Sequence, residues 1–379
     1  MPFEIILDKL PAGYVAHSVK PGEPLLVQVT EFLSSEDGEN LITKLEGLPQ
    51  DLLSKISLKI PVQPSQVDTF LAIIRKDKKV TIYLNEIRPI LSTRIKTCCK
   101  KGDLIVKNQV LDVGRARFED LEIPKDAGVM YVFSVGWRRG FFYDLSPVLE
   151  GLGQPRPFDF EELLGSLYSY LFFQERFKIS EDSWEKLFQQ KWFPFCHIDD
   201  DILRRLVRFA KDDLPIDGLL SRISGNVIRL LKEQPPCWRS NPIFADHDKI
   251  LDTAVERYLA GDYVSCSSIL YTRIEGILRS IYRAYISSHI PRDTEEIDKA
   301  IIERYKGERL SPSLLMPEKF RKYLDDVYFA SFKPGSAPDV SRHSVAHGEA
   351  RPDDFSLKAS TIGFLIVFQI TLFLPSGKE

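Results

Sequence analysis

Cysteine is scarce in this chain, and the little there is does not pair. Five cysteines, Cys98, Cys99, Cys196, Cys237 and Cys266, are scattered over 379 residues. The number is odd, and neighbours as close as Cys98 and Cys99 are not easily bridged to each other, so a disulfide framework is excluded and a reducing compartment fits. Cys98-Cys99 also lacks the Cys-x2-Cys spacing of a zinc site. An excess of charge of one sign is missing too: 51 Lys plus Arg stand against 54 Asp plus Glu, a formal net charge of -3. No global basic field draws such a chain onto nucleic acid, so any polyanion site has to be local. Long apolar runs are absent. The longest, Gly363 to Leu374, falls short of the roughly 20 residues that a membrane-spanning helix needs. Met1-Pro2-Phe3-Glu4 offers no basic stretch followed by an apolar one, so no secretory signal is expected. A cytoplasmic protein without a membrane partner is the expectation. No Walker-type phosphate loop and no Gly-x-Ser-x-Gly elbow occurs, which removes the commonest NTPase and hydrolase readings. No cofactor is expected.

What is present is ordinary globular material, and there is enough of it for more than one core. A chain of this length predicts two or three domains, and its 44% hydrophobic and 28% charged residues can supply a core to each. The first stretch carries β signals. Lys79 to Leu84 and Gly128 to Val135 are rich in β-branched and aromatic residues, and Gly136-Trp137-Arg138-Arg139-Gly140 breaks the second run before Phe141-Phe142-Tyr143, which predicts a hairpin with a solvated tip. A Gly/Pro cluster from Gly151 to Pro157 marks a boundary, and a second break falls at Gln234-Pro235-Pro236. Between them, apolar residues recur at helical spacing, interrupted near Trp192-Phe193-Pro194 and Leu214-Pro215. The fold class is therefore α+β, with a β-containing region over 1–153, a helical middle over 154–236 and an all-α bundle over 237–379.

Within that last region, a helix from about His247 to Gly261, with Asp246 as N-cap, precedes a longer one whose stripe is Leu270, Ile274, Ile277, Leu278, Ile281 and Tyr285. Asp293 with Glu296 resembles a capping arrangement, Pro317 opens a helix through Phe329, and Asp353 or Asp354 caps the final apolar helix. Ahead of that helix lies Ser341-Arg342-His343-Ser344-Val345-Ala346-His347-Gly348. Arg342 and His347 are five apart. In a turn leading into a helix, that spacing can bring a guanidinium and an imidazole to one side, a fixed cation for a phosphate beside a proton donor or acceptor. Metal-free RNA cleavage needs those two capacities, because the 2′-OH must lose a proton and the phosphorane charge must be stabilised. The Arg-x4–6-His pattern by itself is common: Arg283 and His289, six apart, also satisfy it, at a helix end where a snorkelling Arg and a C-terminal His are the simpler explanation.

Context gives the first match more weight. A helical C-terminal domain with a Gly-Asp-Tyr turn after its first helix resembles the HEPN superfamily, and more narrowly its Apea-like, abortive-infection branch. The second helix here carries Tyr271-Thr272-Arg273-Ile274-Glu275-Gly276-Ile277-Leu278-Arg279, and Arg342-His343-x3-His347-Gly348 precedes the last one. The resemblance covers roughly the last 135 residues. It implies a metal-independent endoribonuclease of a bacterial defence or toxin-like system, working as a homodimer through this domain with two motifs facing each other. By the same resemblance Arg342 would polarise the scissile phosphate and His347 would transfer a proton or hold the 2′-OH. His343 would support them, and Glu275 would orient the pair. Residues 1 to about 235 would then bind a trigger or inhibitor. Other members have lost activity and serve as RNA- or protein-binding dimerisation modules, and that alternative stays open. So does a purely local role, in which Arg342 and His347 cap the preceding helix and Glu275 pairs with Arg279 at i,i+4. Asp199-Asp200-Asp201 beside His197 reads as a helix start rather than a metal site, and no metal is expected.

Overall fold

A computed structural model describes residues 2–15, 19–57, 61–97, 99–151, 153–233, 238, 241–287, 289, 291, 296–299, 301–302, 313–331 and 341–374. It is mixed α and β, and its contacts divide the chain into two units, residues 1–92 with 113–174 and residues 93–112 with 175–379.

The first unit is built on a six-stranded antiparallel sheet. Its strands are β1 (Phe3–Ile6), β4 (Thr30–Ser34), β5 (Phe70–Ile74), β6 (Lys79–Leu84), β9 (Gly128–Val135) and β10 (Arg138–Asp144), in the order β1-β6-β5-β9-β10-β4. Short β2 (Tyr14–Val15) and β3 (Val27–Gln28) pair separately, as do β7 (Pro89–Ile95) and β8 (Val110–Phe118). Central strand β5 at every position, and β9 from Val129 to Phe133, are hydrophobic because both faces of the sheet are covered there. Phe70, Ala72, Met130 and Val132 join Leu41, Leu45, Leu52 and Leu53 of α1 (Glu39–Leu45) and α2 (Leu48–Ser54) on one face. Leu71, Ile73, Val129, Tyr131 and Phe133 join Leu164, Leu167, Tyr168 and Leu171 of α3 (Phe160–Phe172) on the other. The predicted hairpin is present, with a tighter turn than expected. Arg138 pairs directly with Val135, so Gly136 and Trp137 alone make the connection, with Gly136 at φ +62°. Its arginines are not a solvated tip: Arg138 donates to the Leu171 carbonyl (2.8 Å) and Arg139 to that of Pro64 (3.1 Å).

The second unit is helical: α4 (Gln174–Phe177) leads into it, followed by α5 (Glu181–Gln189), α6 (Asp200–Lys211), α7 (Leu220–Glu233), α8 (Asp248–Leu259), α9 (Tyr263–Tyr285), α10 (Pro317–Tyr323) with a π turn over Leu324–Tyr328, α11 (Arg342–Ala346) and α12 (Leu357–Thr371). Every residue of α12 from Ala359 to Ile370 is buried. A helix apolar all round must be covered on all sides, and both α9 and α7 pack on it. That requirement explains why no division falls at 236: the middle helices close the same core as the last ones. The division near 153 falls later instead, because α3 belongs to the sheet. Polar groups on α12 are satisfied internally, Ser360 by Ser267 (2.8 Å), Thr361 by Tyr258 (2.8 Å) and Gln369 by the Cys196 N–H (3.1 Å). The apolar stripe of α9 is core from Leu270 to Ile281, whereas Tyr285, the last residue of the helix, is exposed. Caps also differ from expectation: His247 rather than Asp246 precedes α8, and Ser356 Oγ, accepting the Ala359 N–H (3.3 Å), caps α12 in place of Asp353 or Asp354. A hydroxyl suits that cap as well as a carboxylate does. Asp293 lies outside the described residues. Among the described residues no helix is long and apolar enough to cross a membrane.

Candidate functional site

Arg342 to Gly348 is a capped single turn rather than an open loop. Five residues are too few to hold a helix by propensity, and both ends are tied instead. Ser341 Oγ accepts the Ser344 N–H (3.2 Å) while Ser344 Oγ accepts the Ser341 N–H (2.9 Å), a reciprocal capping box with serine in both places. At the far end Gly348, at φ +72°, donates to the Val345 carbonyl (3.3 Å) and Glu349 to that of Ser344 (2.9 Å). This is the Schellman pairing, which needs a left-handed residue that only glycine adopts without cost. Ser341 Oγ also reaches back to the Ala330 carbonyl (3.0 Å), anchoring the turn to the end of the preceding segment.

Because the segment is helical, the predicted pair does not sit on one side. Residues five apart on an α-helix point about 140° away from each other. His343 and His347, four apart, share a face instead, with nearly parallel rings whose centroids are 6.1 Å apart. Arg342 turns the other way, toward α9, where its Nε donates to Glu275 Oε2. Glu275 is buried, its side chain only 9% exposed, and its second oxygen accepts from Arg279 Nε (2.8 Å) and Nη2 (2.7 Å). The i,i+4 pairing and the contact to Arg342 are therefore both real, and one carboxylate clamps two guanidinium groups. Among the described residues Nη1 and Nη2 of Arg342 carry no protein hydrogen bond, and that side chain is 26% exposed.

Glu275 is positioned from behind by Tyr328, whose hydroxyl donates to the Tyr271 carbonyl (2.5 Å) and accepts the Glu275 N–H (3.1 Å). A side-chain oxygen thus stands in the i→i−4 ladder of α9 at the residue that holds Arg342. Burial drives the Tyr328 phenol well above its ordinary range, with Glu275 adding to the effect, so it remains a neutral donor. Tyr328 lies on the π turn, 53 residues from Glu275, and nothing in the sequence signals the contact.

Burial first, then the Arg342 cation and His347, hold His343 below the usual histidine value against an opposing pull from Glu275. His343 is thereby neutral at pH 7 and half-buried, while His347 is exposed. The cluster offers a fixed cation with free donors, a neutral imidazole that can accept a proton and a second imidazole at the surface. Asp298 borders it. Its carboxyl is buried with neither oxygen hydrogen-bonded among the described residues, and burial, then Asp325, pushes it well above its ordinary value.

No known family profile, curated protein or solved structure matches the chain.

The remaining candidates behave as local structure. Arg283 donates to Ser280 Oγ (3.3 Å) and His289 Nδ1 lies 3.2 Å from Ser287 Oγ, so that second Arg/His match is not assembled. Asp199, Asp200 and Asp201 point to different partners, Arg229 (2.9 Å), Arg204 (3.6 Å) and Arg222 (2.6 Å). His197 is buried against Phe368, and burial with the nearby Lys96 and Arg176 cations pushes it down to about 3. Among the described residues no three His, Cys, Asp or Glu side chains gather to hold a metal ion.

Proposed function

We propose that the protein is an endoribonuclease that cuts RNA by attack of the 2′-OH on the adjacent phosphate, with Arg342, His343 and His347 as the working groups and Glu275 as their support. What carries the reading is the clamp: among the described residues a buried carboxylate fixes Arg342 through Nε alone and leaves its two terminal nitrogens for a phosphate. A guanidinium held in that way is pre-organised, and it stabilises charge that develops on phosphoryl oxygens without reorganising. His343, neutral, takes the 2′-OH proton. The oxygen forms a bond to phosphorus, the P–O5′ bond breaks, and His347 supplies a proton to the departing 5′-oxygen. The products are a 2′,3′-cyclic phosphate and a 5′-hydroxyl, with no metal-bound water in any step.

Arg342 and the His343/His347 pair of one chain face different ways, so a homodimer through the C-terminal helices completes the proposal: a two-fold axis brings the second chain's groups to the same phosphate. Residues 1 to about 235 bind the trigger or inhibitor that sets when cutting occurs, as in a bacterial defence or toxin-like system acting in the cytoplasm. A second reading, an inactive HEPN-like module that grips RNA, rests on the same ion pair, because Glu275 offsets part of the Arg342 charge. Purified protein incubated with total RNA, with and without EDTA, beside His347→Ala, decides between them. The enzyme reading expects cleavage in both wild-type samples and none in the variant. Retained binding without cleavage selects the module. Sedimentation that finds only monomer at micromolar concentration, with or without RNA, removes the dimer.

A further inference from the structure

The opposite shoulder of α9 carries a second group of cations that the site above does not use. Gly276 leaves an open floor there. A Cβ at that position would lie 3.4 Å from His247 Cε1 and about 4 Å from Arg273 Cδ and Nη1, so both side chains converge over the glycine. His247 Nε2 is 3.1 Å from Ser280 Oγ, and Arg283 Nη2 donates to the same oxygen (3.3 Å). Two atoms are left over. Among the described residues Arg273 Nε and His247 Nδ1 are buried without a hydrogen-bond partner, and His247 is only 5% exposed. Asp246 and Asp248 neighbour His247 and bear on its charge, yet neither bonds these two atoms. A buried guanidinium N–H without an acceptor is costly. An imidazole nitrogen beside it, which is a donor when Nε2 accepts from Ser280, with a second arginine sharing the serine, makes an arrangement that an anion completes.

We infer that Arg273, His247, Ser280 and Arg283 form a second phosphate subsite, which takes a backbone phosphate of the same RNA strand at some distance from the bond being cut. The inference rests on the RNA reading above for the identity of the ligand. Helix geometry joins the two places: at 100° per residue, Arg273, Arg283 and Arg279 follow one another around α9, and Arg279 shares Glu275 with Arg342. Four arginines thus make a local basic band on a chain whose net charge is -3. Eight residues separate Glu275 from Arg283, about 12 Å along the axis at 1.5 Å per residue, a span that several nucleotides of single strand cover.

The test is equilibrium binding of a fluorescent single-stranded RNA to full-length His347→Ala protein, with and without Arg273→Gln plus Arg283→Gln, over a range of salt. The double substitution is expected to weaken binding at least tenfold at low salt. It should also lower the slope of log affinity against log salt by about 0.7, the contribution of one single-strand phosphate. Arg283→Gln alone, at an exposed position, should give part of the loss with an unchanged melting temperature, which separates the effect from misfolding. Unchanged affinity and slope in the double variant overturn the subsite while leaving the nuclease reading intact wherever the wild-type protein still cuts. Failure of the wild-type protein either to bind or to cut RNA overturns both. Inorganic phosphate is the remaining arm: if it raises the melting temperature of the wild-type protein but not of the double variant, while RNA binding is indifferent to both arginines, the pocket holds free phosphate and the RNA assignment is wrong.

Discussion

Replacing Glu275 by Gln probes the clamp at its centre. The carboxylate accepts from Arg279 through one oxygen and from Arg342 through the other, whereas an amide has a single acceptor oxygen and turns an NH2 toward the second guanidinium. One arginine must therefore let go. A hydrogen bond to a charged group contributes about 1.5–3 kcal/mol. The Arg342 and Arg279 side chains are 26% and 34% exposed, so water recovers part of this, and a loss of roughly 1–2 kcal/mol is expected. For a folded unit of this size that is about 2–8 °C in melting temperature. If Arg342 is the group released, RNA cleavage should fall further, by on the order of 10- to 100-fold, since each 1.4 kcal/mol of lost transition-state stabilisation is a factor of ten. A double-mutant cycle with Arg342→Gln, read by both calorimetry and cleavage rate, isolates the pair. Additive effects in the stability cycle, with a coupling near zero, would refute the reasoning, because the ion pair would then hold nothing.

Three further outcomes follow from the second unit. Ile277 is fully buried on the core face of α9, so Ile277→Asp should cost several kcal/mol by placing an unpaired carboxylate there, and an unchanged melting temperature would mean that the helix faces the other way. His197 is held in its neutral form at about 3 by burial, then by Lys96 and Arg176, so the unfolded chain takes up a proton below about pH 6.5 that the folded chain refuses. Its contribution to stability is complete above that pH and should decline by on the order of 2 kcal/mol by pH 5, measured as the difference between wild-type and His197→Gln unfolding curves; parallel pH profiles would contradict it. Capping of α11 should be visible in function before stability, with Ser341→Ala and Gly348→Ala each costing about 1 kcal/mol locally and lowering RNA cleavage through misplacement of Arg342, whereas full activity in both would show that the turn does not position the site.

Regular elements whose pattern is set by burial were legible in the sequence. Lys79–Leu84 and Gly128–Val135 are strands over the predicted residues, and the stripe from Leu270 to Ile281 is core, because alternation and helical period report directly which face is covered. The domain division was less legible. Residues 154–236 look separable by their flanking Gly/Pro clusters, but α12 needs cover from α7 as well as α9, a tertiary demand that composition does not carry. At the site, Arg342 and His347 stood out by type and spacing and His343 and Glu275 only through the family resemblance, and the pairing of the four was not legible. Whether Ser341-x-x-Ser344 closes into a capping box decides if the segment is helical, and that choice sends Arg342 to Glu275 and stacks His343 on His347. Tyr328, which reaches Glu275 from a π turn, has no local signature.

The most direct measurement is cleavage of a defined RNA oligonucleotide in EDTA, with the product ends identified by mass, for wild-type protein, Arg342→Ala and His347→Ala, and for an oligonucleotide carrying a single 2′-deoxy sugar at the cut site. Cleavage by the wild-type protein should leave a 2′,3′-cyclic phosphate, stop at the deoxy sugar, and fall about a hundredfold or more in each variant without loss of folding, the usual scale for removing a proton-transfer group or a charge-stabilising donor. Equal cutting of the deoxy-substituted strand, or RNA that is bound but left whole by the wild-type protein, would contradict it.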